Sequence, residues 1–125
     1  MYSLGIDVGS VSTNLVLLDS NSNVVEKLYI RTRGRPMEAV QTVLAEIGKK
    51  YDDRQIYSVG TTGSGRMIAS IQVGADIVKN EITAHAVAAI QTEKDVKTVL
   101  EIGGQDSKII IIRDGVVTDF AMNTV

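Results

Sequence analysis

Two short stretches of this chain carry more functional groups than a turn requires. Residues 5–13 read GIDVGSVST, with a carboxylate at Asp7, a glycine at Gly9 and hydroxyls at Ser10, Ser12 and Thr13. A carboxylate near a strand end is aimed by rigid backbone. A glycine lets the chain turn sharply and approach a ligand closely. Hydroxyls and turn N–H groups can surround a phosphate, and Mg²⁺ is commonly held by one or two carboxylates beside one. The stretch is not a Walker loop, because GxxxxGK[ST] is absent. The plainer alternative is a tight hairpin whose Ser and Thr serve their own backbone.

Residues 103–108 offer a second such set: Gly103, Gly104, Gln105, Asp106, Ser107 and Lys108. A hairpin turn by itself needs only one or two residues that tolerate φ > 0. Two equivalent hairpins could face each other across a cleft and hold a phosphate from each side, with Asp7 and Asp106 flanking a divalent cation. Three further clusters are weaker. Residues 61–66, TTGSGR, read as a ligand or partner loop or as a flexible surface connection, and the latter is the default for one loop alone. Glu81 and His85 share a helix face at i, i+4, which suits acid–base work or ordinary packing. Arg31, Arg33 and Arg35 alternate at a strand end and read as a solvated edge.

The elements that must position these groups are legible. Strands are expected at residues 2–8, 13–19 and 24–32, joined by short turns as an antiparallel meander. Pro36 opens a helix whose apolar residues Val40, Val43, Leu44 and Ile47 recur at helical spacing, and Gly48 ends it. A short strand at 56–59, a loop at 60–66 and a helical turn at 67–71 follow. Asn80 caps an Ala-rich helix over 81–92. Strands at 98–102, 108–113 and 116–121 complete the chain, with Asp114-Gly115 as a hairpin signal. The order βββαβ, helix, βββ starts one motif twice. The division this predicts is a first half-domain over 1–93 and the first three strands of a second over 97–125.

Composition narrows the function. At 125 residues the chain is one ordinary domain in length, and a 44% apolar content with a single Pro is globular. A net charge of −2 lacks the basic excess of nucleic-acid-binding domains. With no Cys, neither disulfides nor thiolate metal sites can form within these residues, which fits a cytoplasmic setting. No apolar run approaches the roughly 20 residues that span a bilayer. The N-terminus lacks a secretory pattern, and the strand pattern begins close to Met1, as at a native start.

GIDVGSVST, TTGSGR, NEITAHA and IGGQDSK, in this order, resemble the activator ATPases of 2-hydroxyacyl-CoA dehydratases, a family that includes benzoyl-CoA reductase ATPase subunits. The resemblance runs over residues 2–123 and includes FAMN at 120–123. GIDVGS is shared with actin, sugar kinases and heat-shock chaperone ATPases; EITAHA together with IGGQDSK is far more specific. The resemblance implies an α/β, ribonuclease H-like fold of the actin-like ATPase superfamily, duplicated, with ATP between the halves. It implies cytoplasmic homodimers bridged by one [4Fe–4S] cluster, in which ATP hydrolysis drives a low-potential electron into a dehydratase partner. It places Asp7 on Mg²⁺ through water, and Gly9, Ser10, Ser12 and Thr13 on the phosphates. Gly103, Gly104, Ser107 and Lys108 belong to the second phosphate loop, with Gln105 and Asp106 near the γ-phosphate and Asp106 also toward the metal. Beside what the resemblance implies, Glu81, His85 and Arg66 stay as further candidates from their own spacing, with ordinary packing as the alternative. Neither nucleic acid nor a membrane is implied.

Two departures stand out. Many relatives carry a basic residue where this chain has Asn14. In the family a cluster-ligating Cys follows Met-Asn, and here Thr124-Val125 stand instead. The resemblance thus predicts an N-terminal fragment, inactive by itself, of a full-length ATPase. Its strands over 97–125 would lack their covering helices, leave residues 109–112 exposed on a face, and pair with another copy. Two alternatives remain: a sugar kinase of the same superfamily with TTGSGR at its sugar site, and a non-catalytic actin-like assembly module.

Overall fold

The computed structural model describes residues 1–103 and 105–124. The chain forms two compact units, Met1–Lys79 and Asn80–Val125. Within the first, β1 (Tyr2–Val8), β2 (Ser12–Leu18) and β3 (Val24–Arg31) form the expected antiparallel meander. Helix α1 (Pro36–Gly48) returns the chain to β4 (Ile56–Thr62), which pairs parallel to β1, and β5 (Ile77–Val78) adds a short parallel edge. The sheet order is β3-β2-β1-β4-β5, a mixed sheet.

Alternation along the strands builds the core. Leu4, Ile6, Val8, Leu15 and Leu17 are buried and pack with Val40, Val43 and Ile47 of α1. Burying each such side chain stabilises the unit by about 1.5–3 kcal/mol. Pro36 suits the first helical position, because its fixed φ is helical and no N–H is needed there.

Helix α2 (Arg66–Val73) is longer than the expected helical turn, and β4 runs on to Thr62 where a loop was expected from residue 60. Gly60 suggested the break. In the sheet it lies between Gly5 of β1 and Ile77 of β5, and a Cβ at Gly60 would come within 2.9 Å of the Ile77 side chain. The glycine therefore admits a neighbour rather than ending the strand. β5 has only two residues, too few for any periodicity to show.

In the second unit, α3 (Glu81–Thr92) starts at Asn80, whose side chain accepts from the Thr83 N–H at 2.9 Å. β6 (Thr98–Ile102), β7 (Asp106–Arg113) and β8 (Val116–Thr124) form an antiparallel sheet in that order. The β7–β8 turn has Asp114 and Gly115 both at positive φ, as a two-residue hairpin demands. Ile82 and Ala86 of α3 pack on Ile110 and Ile112. The reading that these strands lack a helix is thereby corrected: α3, assigned above to the first half-domain, covers one face of their sheet. On the other face Leu100 and Ile102 remain 71% and 85% exposed.

Candidate functional site

The first loop joins β1 to β2. Asp7 ends up half-buried near the end of β1, and Ser10 is exposed at the turn. Gly9 N–H donates to the Ser12 carbonyl at 2.9 Å and closes the turn. A distant residue, Thr32, ties the turn down. Its N–H donates to the Val11 carbonyl at 2.9 Å, and its hydroxyl donates to the Gly9 carbonyl at 2.8 Å. Thr13 lies 2.9 Å from the same Thr32 oxygen. A hydroxyl has one hydrogen and a carbonyl can only accept, so in that contact Thr13 is the donor. Thr13 is 0% exposed. Its hydrogen points inward to Thr32. Ser12 is half-buried and accepts from the Asn14 amide at 3.3 Å.

The stretch TTGSGR is not a loose surface connection. Asp7 is in register with Thr62 across the β1–β4 pair. Gly65 N–H donates to the Val8 carbonyl at 2.8 Å. Gly63 has φ +92, and a Cβ there would strike the Val8 carbonyl and come within 2.5 Å of Asp7 Oδ1. Only glycine fits so close to the carboxylate. Arg66 folds back, its guanidinium donating to the Gly63 carbonyl at 3.1 Å. The Thr62 hydroxyl oxygen is buried and has no hydrogen-bond partner. A carboxylate and an unsatisfied hydroxyl thus stand on neighbouring strand ends. That is the small oxygen donor set that fits Mg²⁺, which keeps several waters and takes its other ligands from phosphates. Among the described residues no group of three or more His, Cys, Asp or Glu could hold a metal by itself.

The second loop joins β6 to β7. Gly103 N–H donates to the Asp106 carbonyl at 2.9 Å, and Gly104, expected in the site, lies outside the described residues. Gln105 is exposed, and Asp106 and Ser107 are half-buried. Lys108 is the centre of the region. Its side chain is 2% exposed, and its ammonium lies 2.8 Å from Asp106, 3.1 Å from Glu101 and 3.3 Å from Glu81. Burial would push this ammonium's pKa down. The hydrogen bonds to Asp106, Glu101 and Glu81 outweigh it and hold it above the ordinary lysine range. Its charge is shared among three carboxylates in this structure. Glu81, weighed above as a partner of half-buried His85, is tied to Lys108. Arg31, Arg33 and Arg35 are exposed around a surface cleft of about 440 Å³, as a solvated edge would be.

Two residues that shape these loops were missed. Glu101 carried a signal, since the hairpin register sets it directly opposite Lys108, an opposite-charge cross-strand pair. Thr32 carried none, because its importance comes from a segment remote in sequence.

The sequence pattern of the BadF/BadG/BcrA/BcrD ATPase family matches residues 4–125. The (R)-2-hydroxyglutaryl-CoA dehydratase activating ATPase of Acidaminococcus fermentans is 35% identical, over 98% of this chain and 47% of its own. The activator of lactoyl-CoA dehydratase from Anaerotignum propionicum is 36% identical, over 98% and 47%. The solved structure of the activator of 2-hydroxyisocaproyl-CoA dehydratase from Clostridium difficile, with bound ADPNP, superposes with a TM-score of 0.82 at 29% identity, over 99% of this chain and 46% of that one. The chain spans about half the length of these relatives.

Proposed function

The chain belongs to the BadF/BadG/BcrA/BcrD ATPase family, with the ribonuclease H-like α/β architecture of the actin-like ATPases, and from that premise we propose that it carries the phosphate-handling loops of an ATP-hydrolysing activator. The activator would pass a low-potential electron to a 2-hydroxyacyl-CoA dehydratase-type partner. The observation that carries this reading is the first loop. Asp7, the Gly63 backbone packed on it, and a turn whose carbonyls are tied back to Thr32 together make an oxygen- and amide-lined strand end. ADPNP in a 29% identical relative supports ATP as the ligand class.

In this reading Asp7 would hold magnesium through water, and Ser10 and Ser12 would meet the phosphates, with Gly9 letting the turn approach them closely. Magnesium, when bound, neutralises phosphate charge. Gln105 and Asp106 orient the attacking water, with Asp106 fixed by Lys108. Such catalysis is mostly positioning and charge neutralisation, so no residue forms a covalent bond to phosphate. A [4Fe–4S] cluster does not fit the residues present, because these 125 residues contain no Cys to ligate it. We assign these residues no step of electron transfer.

The experiment is ATP-dependent reduction of a 2-hydroxyacyl-CoA dehydratase, measured without oxygen, with the protein at the length of its relatives. Hydrolysis without any reduction of the dehydratase would sink the activator reading. The 125 residues alone are expected to bind MgATP weakly or not at all, and tight binding by calorimetry would contradict that.

A further inference from the structure

Thr32 follows β3, 23 residues from Gly9. It makes two bonds to the first loop, and both go to carbonyls: Gly9 through its hydroxyl and Val11 through its N–H. All peptide bonds of the described chain are trans. In a planar trans peptide the C=O and the N–H point in opposite directions. Holding the Gly9 and Val11 carbonyls on Thr32 therefore turns the N–H groups of Ser10 and Ser12 the other way. The bonds are also sheltered. Thr32 is 4% exposed, and Thr13, which donates to it, is 0% exposed. Water cannot compete for either hydroxyl, so the chain of donors Thr13 to Thr32 to Gly9 has one arrangement.

We propose that Thr32 is the positioning residue of the first phosphate loop. Its hydroxyl and amide fix the direction of the Ser10 and Ser12 peptides before any ligand arrives. Donors set in advance need no reorganisation when charge approaches, which is where their electrostatic effect is largest. A valine would fill the same space, so the hydroxyl is what the loop requires. The inference rests on the ATP reading only for what those amides meet; their direction is a property of the folded chain.

The test is NMR of the ¹³C,¹⁵N-labelled 125-residue chain. In the unaltered protein, the Thr13 and Thr32 hydroxyl protons are expected to exchange slowly enough to be seen. A scalar coupling is expected across the bond from Thr32 N–H to the Val11 carbonyl. A Thr32 hydroxyl that exchanges freely overturns the proposal without any variant. Thr32→Val is expected to remove the slow Thr13 hydroxyl proton and shift the Ser10 amide resonance, while Ser12, held through the backbone N–H that valine keeps, moves less and Leu15 and Val16 stay in place. Thr32→Ser is expected to restore the original positions. Thr13→Val leaves the Thr32–Gly9 bond intact and should leave Ser10 and Ser12 nearly unmoved. A folded Thr32→Val with an unchanged Ser10 amide refutes the inference, as does a Thr32→Ser that behaves like Thr32→Val. Magnesium with β,γ-imido-ATP is then added to the unaltered chain. At the large excess that weak binding requires, shifts at Ser10 and Ser12 support the ATP reading; shifts confined to other residues count against that reading and leave the direction of the peptides standing on the hydroxyl data.

Discussion

Lys108→Met is the sharpest perturbation the structure offers. Methionine keeps most of the unbranched stem in a slot where the lysine side chain is 2% exposed, and deletes only the ammonium. Three carboxylates, Glu81, Glu101 and Asp106, then lose their common cation. Removing one partner of a buried ion pair costs about 3–5 kcal/mol, because the other charge is left uncompensated. Here the stranded carboxylates are 22–32% exposed and can recruit water, and the cost of burying the ammonium disappears with it. Both effects place the expected loss at the low end, about 2–3 kcal/mol. All four tyrosines lie in the first unit and there is no Trp, so fluorescence would not report on the second. Amide hydrogen exchange along β7 does. A loss of that size speeds exchange at the protected Ile110 and Ile112 amides by roughly 30- to 150-fold. Adding Glu81→Gln to Lys108→Met removes one stranded charge and should recover part of the protection. Unchanged β7 exchange in Lys108→Met would refute the claim that this cluster anchors the second loop to α3.

Three other outcomes follow from particular contacts. Gly63→Ala places a Cβ against the Val8 carbonyl and the Asp7 side-chain Oδ1 at φ +92, and the Val8 backbone, paired in the sheet, cannot give. It should cost at least about 3 kcal/mol in urea unfolding followed by tyrosine fluorescence; a loss under 1 kcal/mol would contradict the close packing of this turn on Asp7. Leu15→Ala empties a fully buried site between sheet and α1 and should cost about 2–5 kcal/mol by the same assay. The exposed Leu100 and Ile102 lie beside open strand edges at β6 and β8, so the 125 residues should self-associate as concentration rises, and Ile102→Lys should reduce it. A monomer by sedimentation velocity at high concentration would overturn that expectation.

The elements were legible where the pattern was long. The meander, α1 and α3 were expected within a residue or so at each end, because Pro36, Asn80 and Asp114-Gly115 are local signals with a local mechanism. The errors have a common physical source. Gly60 looked like a break because propensity is local, yet sheet partners on both sides hold it in β4. TTGSGR looked mobile because Gly and Ser favour loops, yet its glycines are there to admit Asp7 and Val8. Thr13 and Lys108 were legible as polar residues in the right loops, but not the direction of their hydrogens. That direction depends on Thr32, Glu81 and Glu101, which no spacing rule joins to them.

The two loops are also held by different chemistry, and alkaline pH separates them. Threonine hydroxyls tie the first loop and carry no charge to lose at high pH. An ammonium ties the second, and its carboxylate partners hold it above the ordinary lysine value of 10.5. A group whose pKa is raised on folding stabilises fully below its unfolded pKa and loses that contribution as pH climbs through the folded one. The contribution of the Lys108 cluster should therefore be constant from neutral pH up to the ordinary lysine value and fall progressively above it. Amide exchange corrected for its own pH dependence, compared between the unaltered chain and Lys108→Met, isolates the term. The difference between them along β7 should stay constant up to the ordinary lysine value and shrink beyond it. If it collapses below that value, the ammonium is not stabilised by its three carboxylates, and the second loop must owe its shape to the Gly103–Asp106 backbone bond instead.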